Sequence, residues 1–576
     1  MIKHRYHKIL LSLLIVVVSA VYGLPHIILF GKLRQNYNPL PISGGSPIAR
    51  DEAFAYAPLV NYISRGKFFL GEVYVKEYKN YPTPFLGETL PAIFLSNITQ
   101  VTKSMEKTFI LTDFIFPPII FVLLFIIMKM FVKNNSFALS AAFLTTIARD
   151  FISVIPFPKA MYEYFMIAKN QNYLLFLSRS FHPQVTFVFF LITFILLINL
   201  LRNPKKKILI ILFGISFGLL TYSYLFYWSY FLLFYFLVTI FYIFKKNFEV
   251  IKALLISGLI FIVISSYYFI NMYNFSKLSL ANDFIQKSSL ENLPFPLTIF
   301  RYLLLSIIFL VFFKKKGDKF IVFFFFMATT ALIAIMSKIV IGQDLETLHY
   351  LRRAAMPIET LGFFIILNSL LKNKKKVVSF VTFLIITITL FFAIRTQIVA
   401  TEKIINVHIR DRSQQLVLVW LGKNTEKGSV IGSLDTELNS LIPVYTDNYV
   451  YFAPTDRTLT PTEEGVKRFA SLAKLLGINL EIQHKLLEDK SLLSYMFVYQ
   501  AYDENLKLSI NSQGRVLAQQ LTEKISSGEY QNEVNNYKID YIIVSPKQFG
   551  LVKPDLRRLK PVTSIDEYVI FKVTNL

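Results

Sequence analysis

Cysteine is absent from the 576 residues, which excludes disulfides, thiolate metal sites and a cysteine nucleophile. The absence leaves the compartment open. Internal repeats, low-complexity tracts and a long disordered linker are missing too, so neither a repeat array nor a flexibly tethered module is implied. Acidic residues are scarce, 37 against 61 Lys and Arg, for a net charge of +24. That excess is not a nucleic-acid signature, because from residue 399 onward the chain has 21 basic and 21 acidic residues. The positive charge belongs to the first part, where about half of it forms clusters suited to topology and anionic headgroups. Nucleic acid is excluded as a partner on this distribution.

What the chain has in abundance is apolar surface: 54% hydrophobic residues, 16% aromatic and a mean hydropathy of +0.49. A helix needs roughly 20 apolar residues to cross a bilayer core. Runs of that kind recur, predicting spans near 9–30, 109–132, 137–155, 183–201, 207–226, 227–244, 250–271, 297–313, 319–340, 356–371 and 377–397. The 207–244 stretch reads as one apolar run long enough for two helices, with the break expected in 221–227. The first run follows Lys3, Arg5 and Lys8 like a signal-peptide n-region, but it is too long and lacks a clear cleavage site, so it reads as a retained anchor.

Basic residues cluster at every second boundary: Lys3 and Lys8, Lys129 and Lys133, Arg202 and Lys207, Lys245 and Lys252, Lys314 and Lys319, Lys372 and Lys376. By the positive-inside rule these loops face the cytoplasm. The expected topology is a cytoplasmic N-terminus, a cell-membrane multi-pass domain over 1–398 with a large first outer loop at 31–108, and an extracytoplasmic tail over 399–576. In the tail, SVIGSL (429–434), NYVYFA (448–453), YIIVS (541–545) and EYVIFKV (567–573) read as strands, while 461–476 and much of 485–530 carry helical spacing. The predicted fold is a polytopic α-helical membrane protein of about 11 transmembrane helices with a C-terminal α/β domain.

Charged groups near span ends are where chemistry is expected. The first outer loop opens with the adjacent carboxylates Asp51 and Glu52 and adds Glu72, Glu77 and Glu88. Asp150, beside Arg149, ends the third span on the same side, although an internal ion pair explains those two equally well. Oxygen ligands from separate loops suit a hard divalent cation such as Mg²⁺ or Mn²⁺ with positions left open for phosphate, and Glu52 and Asp150 are the candidate metal ligands. A basic set faces the same mouth: Arg179 and His182 in LSRSFHPQ (177–184), and His349, Arg352 and Arg353 in IGQDLETLHYLRR (341–353). Guanidinium forks and imidazoles suit a lipid-linked phosphate, and ordinary headgroups or pairing with Asp344 and Glu346 explain the same residues. The aromatic TYSYLFYWSYF (221–231) fits an interfacial belt, and alternatively a sugar- or prenyl-contacting surface. Asp435 and Glu437 follow a predicted strand without a recognisable catalytic set, and NIT (97–99) and NFS (274–276) match a glycosylation acceptor pattern that is frequent by chance.

The layout resembles the GT-C superfamily of polyprenyl-phosphate-sugar-dependent membrane glycosyltransferases, including protein O-mannosyltransferases and aminoarabinose-transferase-like prokaryotic members. The matching features are the first span, the loop opening RDEAFAY (50–56), the acidic residue at Asp150, and a tail containing VLVWLGKNTEKGSVIGSL (417–434) and YKIDYIIVS (537–545). The resemblance implies inverting transfer of a sugar from a polyprenyl-phosphate donor to a protein or glycolipid acceptor on the outer face, with Asp51 as catalytic base, Glu52 as its neighbour and Asp150 as the second-loop acid. Trp228 and Trp420 are the only tryptophans and neither begins the tryptophan-rich acceptor motif of oligosaccharyltransferases, so asparagine-linked transfer is not implied. The rival classes are a transporter or flippase of lipid-linked sugars and a non-catalytic membrane assembly subunit. Paired halves are missing and the charges gather at span ends, which favours an enzyme.

Overall fold

The computed structural model describes residues 2–41, 52–148, 174–288, 298–316, 321–341, 349–371, 374–497, 512–532, 537–548 and 550–574. Helix dominates the first four hundred residues, because a long apolar run away from water can satisfy its backbone only within itself. Among the described residues six helices are long and apolar enough to cross a membrane: Lys8–Asn36, Met105–Phe131, Ser180–Arg202, Leu225–Phe244, Phe248–Ser276 and Phe380–Lys403. Four shorter apolar helices, Asn135–Ala148, Lys207–Leu220, Ile299–Phe312 and Phe323–Met336, accompany them, as does Met356–Leu370. Among the described residues, six of the eleven expected segments fall on helices with the length and hydropathy of a full crossing, and the other five coincide wholly or in part with shorter helices. The break in 207–244 comes at 221–224, between Lys207–Leu220 and Leu225–Phe244.

Small residues set the closest helix approaches. A Cβ at Gly214 would lie 2.7 Å from Ile260 Cβ and 2.9 Å from the Ser257 carbonyl, and one at Gly218 would lie 2.5 Å from Ile264 Cβ. The four-residue glycine spacing lets Lys207–Leu220 seat directly on Phe248–Ser276, where apolar burial alone gives helices little reason to associate. Helix ends are placed by capping: Ser104 starts Met105–Phe131 by accepting from the Lys107 N–H at 3.3 Å, satisfying one of the donors a helix start leaves open.

The last membrane helix runs from Lys375 to Lys403, beyond the compositional change at residue 398, and leads into a mixed five-stranded sheet. Its strands are β1 (Val430–Gly432), β2 (Tyr449–Val450), β3 (Tyr541–Val544), β4 (Leu559–Ile565) and β5 (Tyr568–Val573). The order is β2-β1-β3-β5-β4, with β1 parallel to β2 and β3, and β5 antiparallel to both β3 and β4. Asp435 is a helix cap here: its carboxylate accepts from the backbone of Glu437 and Leu438 at 3.1 Å, opening the helix Thr436–Tyr445 that follows β1.

This sheet packs on the loop 31–108, and the two share a hydrophobic core that includes Leu59, Val60, Val73, Leu441, Ile442 and Val450. The loop backbone also extends the sheet edge, the Val450 N–H donating to the Tyr74 carbonyl at 2.8 Å. Polar clasps surround that core. Arg65 meets Asp447 at 2.7 Å and Arg410 meets Glu106 at 2.6 Å. Buried Arg468 reaches Glu464 at 2.7 Å and Glu77 at 3.2 Å, its guanidinium 4.0 Å from the Tyr537 ring centroid. Glu72 closes the set. One of its oxygens accepts from the Tyr74 and Val75 N–H groups at 2.8 and 3.2 Å, and the other from Leu459 N–H and Thr458 Oγ1 at 2.6 and 3.2 Å.

Candidate functional site

Three of the sequence-predicted acids add little geometry. Asp51 and Asp150 lie outside the described residues, as do Arg149, Asp344 and Glu346, and only the backbone of Glu52 is described. Glu52 begins a wide helical turn, Glu52–Tyr56, that feeds the helix Ala57–Ser64. That turn carries Tyr56, fully packed and stacked on Phe181 with ring centroids 4.6 Å apart. The turn Glu52–Tyr56 is thereby tied to the 177–184 segment.

The basic residues converge. His182, preceding a cis proline at position 183, is wholly buried; its Nδ1 is 3.2 Å from Thr186 Oγ1 and its Nε2 3.4 Å from Glu88 Oε1. The ring lies against Tyr224 at 4.1 Å and edge-on to Tyr56 at 5.0 Å. Tyr224 hydroxyl hydrogen-bonds His349 Nδ1 at 3.0 Å, and the Arg353 guanidinium stands 4.9 Å from the Tyr224 centroid. Arg179 and Arg457 flank Tyr56, 6.0 and 5.4 Å from its centroid. Arg179, His182, His349 and Arg353 thus share one chamber, while Arg352 is exposed, since adjacent residues on a helical turn point in different directions.

Among the described residues, some polar atoms of the chamber are left without hydrogen-bond partners. Arg353 is only 6% exposed and its Nη1 has no hydrogen-bond partner. A buried guanidinium nitrogen without an acceptor is expensive, and an arriving anion would supply one. Glu88 is the described carboxylate in the chamber, with its Oε2 sealed from solvent and also without a partner. Burial pushes its carboxyl up to about 7, against the pull of Arg457 and Arg353. Tyr56 is likewise raised, burial outweighing Arg179 and Arg457. The site therefore offers a donor and an acceptor that are both desolvated and both unused.

A second polar network fixes the segment that presents Arg179 and His182. His26 Nε2 is 2.8 Å from Asp113 Oδ2 and its Nδ1 is 2.5 Å from the Tyr37 hydroxyl; with the Nε2 proton directed to the carboxylate, Nδ1 accepts from the phenol. The Gln184 amide donates to the other oxygen of Asp113 and to the Leu177 carbonyl. Gln397 of the last helix grips the same segment, donating to Ser178 Oγ at 3.2 Å and accepting from Leu175 N–H at 3.1 Å. Two helices distant in sequence thus lock one loop.

Sequence reasoning missed Tyr56, Tyr224 and Arg457, and it named Glu88 without a role. Tyr224 sat inside an aromatic run already explained as a belt. Arg457 has no local signal, because only the docking of the sheet domain brings it near Tyr56. Among the described residues no three His, Cys, Asp or Glu side chains group as a metal site.

No protein-family model and no curated protein matches the chain. Among solved structures it is similar to the oligosaccharyltransferase of Archaeoglobus fulgidus tethered with an acceptor peptide containing the NVT sequon, at 10% identity over 94% of this chain and 69% of that one, TM-score 0.43. The apo form of the same enzyme gives 11% identity over 92% and 69%, TM-score 0.39.

Proposed function

We propose that the chain is an integral membrane glycosyltransferase that takes a sugar from a polyprenyl-phosphate carrier and passes it to a hydroxyl acceptor on the outer face of the membrane. The observation behind this reading is the buried Arg353 with its unused Nη1, set among Arg179, His182 and His349 beside the turn that begins at Glu52. A lipid-linked phosphate supplies an acceptor for that nitrogen, and its tail lies among apolar helices.

In this reading Asp51, with Glu52 beside it, takes the proton of the acceptor hydroxyl as that oxygen attacks the anomeric carbon. The new glycosidic bond forms while the bond from that carbon to the phosphate oxygen breaks, with inversion, and the leaving phosphate carries the electron pair away. Arg353, Arg179 and the two histidines meet the developing charge in a dry site, where fixed donors act most strongly. A divalent cation held by Glu52 and Asp150 would add positive charge on the same side.

Asp51→Asn tests the reading directly. Transfer from a polyprenyl-phosphate sugar is expected to disappear while the thermal unfolding profile of the purified protein stays unchanged. An Asn variant that retains full transferase activity would sink the assignment.

A further inference from the structure

We propose that the tip of the loop 31–108, Lys67-Phe68-Phe69, is inserted into the phospholipid leaflet on the side of the sheet domain, beside the helix Phe248–Ser276, and so ties the loop to the bilayer. The inference stands apart from sugar transfer and needs only that the long apolar helices cross a membrane.

The tip is held at both ends. The helix Ala57–Ser64 stops at Arg65, and Gly66 turns the chain with φ +84°, its N–H donating to the Ile63 carbonyl at 3.0 Å. Glycine takes that backbone without strain. Beyond the tip Leu70 is buried, and its N–H donates to Thr89 Oγ1 at 3.2 Å. Between these fastenings Phe68 is 82% exposed and Phe69 44%, with the exposed Lys67 beside them. Burying a phenylalanine side chain stabilises by about 1.5–3 kcal/mol, a gain that this pair forfeits in water and recovers among acyl chains.

The neighbouring helix gives the depth. Leu255, Leu259, Val263, Tyr267, Ile270 and Tyr273 of Phe248–Ser276 are all exposed, and their spacing of three and four residues makes one apolar stripe along the helix. On a helix that crosses a bilayer such a stripe faces lipid. The Phe69 ring lies 4.8 Å from the Tyr267 ring, on that stripe, and 6.2 Å from the Phe68 ring. One turn further on, Asn271 holds the same loop, its amide donating to the Thr83 carbonyl at 2.7 Å and its oxygen accepting from the Thr83 N–H at 3.2 Å. At 1.5 Å per residue Tyr267 stands about 22 Å along the axis from Lys252, roughly three quarters of the way through a core of about 30 Å. Tyr273, with the Lys277 ammonium 4.1 Å from its ring centroid, falls at the far edge of that core. The two phenylalanines therefore meet the acyl chains just beneath the headgroups, and Lys67 beside them suits the phosphates, the aromatic and basic pairing that an interface favours.

Because the chain has no cysteine, one introduced thiol carries one fluorophore. The full-length protein, in nanodiscs of phosphatidylcholine and phosphatidylglycerol, is labelled with bimane at Lys67→Cys, with Val263→Cys as the lipid reference and Arg557→Cys, on the exposed face of the sheet domain, as the aqueous one. A nitroxide on the phospholipid near the top of its acyl chain is expected to remove about half of the Lys67→Cys signal and almost none of the Arg557→Cys signal, as burial by roughly 5–10 Å implies. Adding Phe68→Ser and Phe69→Ser to Lys67→Cys is expected to cut that quenching by about twofold or more and to raise quenching by aqueous iodide, since the apolar area that drives insertion is gone. Lipid quenching unchanged by the two serines would mean that the dye inserts by itself and would overturn the proposal. Quenching by iodide alone at Lys67→Cys, with lipid quenching intact at Val263→Cys, would overturn it too, as would protection from both quenchers, the mark of a covering protein. Absence of lipid quenching at Val263→Cys would remove the membrane placement of the helix and the proposal with it.

Discussion

Glu72 and Glu88 stand on the same loop, both desolvated, and the protein treats them in opposite ways. Glu72 has two donors on each oxygen and joins the loop to the sheet domain. Glu88 has one long contact to His182 and an oxygen with no partner. A related contrast divides Arg468 and Arg353. Each has a buried nitrogen that makes no hydrogen bond, but Arg468 lies against two carboxylates and an aromatic ring, whereas Arg353 has the Tyr224 ring beneath it. Saturated buried polar groups hold a structure together, and unsaturated ones mark where something is to be bound.

The sharpest way to break that contrast is Arg353→Gln. If the unsaturated arginine exists for a leaving phosphate, sugar transfer is expected to fall on the order of a thousandfold, about 4 kcal/mol of lost transition-state stabilisation. Thermal stability is expected to change little, because the variant removes a buried group whose Nη1 has no hydrogen-bond partner. A variant that loses stability while keeping activity would place Arg353 with the structural arginines.

Glu72→Ala attacks the saturated side. It strips the acceptor from the Tyr74, Val75 and Leu459 N–H groups, each costing about 1–3 kcal/mol when left unmet in the interior. Partial rehydration reduces the total to about 3 kcal/mol. Hydrogen–deuterium exchange should quicken in 73–75 and 455–462 together, since both sides of the clasp open at once. Unchanged exchange would mean that the shared apolar core alone fixes the docking.

Glu88 gives the third test, in pH. Its carboxyl is raised from an ordinary value of 4.5 to about 7, so between those values the folded state holds a proton that the unfolded state has released. Stability from this group is present below about 4.5 and is lost as pH climbs through about 7, a change of about 3 kcal/mol. Glu88→Gln, neutral throughout, should flatten that part of the melting-temperature profile and unfold at a higher temperature than wild type above pH 7. Profiles of equal slope would show that Glu88 ionises freely, and the contrast with Glu72 would narrow.

How far all this could be read from the sequence depends on how local the cause is. Apolar runs declare helices because the bilayer imposes one length and one backbone solution, and β1, β3 and β5 declare themselves by β-branched and aromatic density. β4 did not: Lys560, Pro561 and Thr563 give it the composition of a loop, since as an edge strand it exposes much of itself. In the site, Arg179, His182, His349 and Arg353 stood out as charges at the ends of apolar runs. Tyr56, Tyr224 and Arg457 did not, because their roles come from contacts between segments hundreds of residues apart. The change in composition at residue 398 marks where the apolar run stops, whereas the helix continues to Lys403 and the core of the tail is shared with the loop 31–108.

The smallest expected effect is the most discriminating control. Arg352 and Arg353 are identical in type and adjacent in sequence, and reasoning from sequence assigned both to the phosphate. In the turn Tyr350–Ala355 only Arg353 faces the chamber, while Arg352 is exposed. Arg352→Gln is therefore expected to change undecaprenyl monophosphate affinity less than about twofold and stability by less than about 0.5 kcal/mol, the usual range for a surface substitution. Both arginines would carry the same charge to the same membrane surface, so a headgroup-binding role predicts equal losses for the two variants. A phosphate held inside the chamber predicts a loss at Arg353 alone, and measuring the pair side by side separates lipid attraction from a built site.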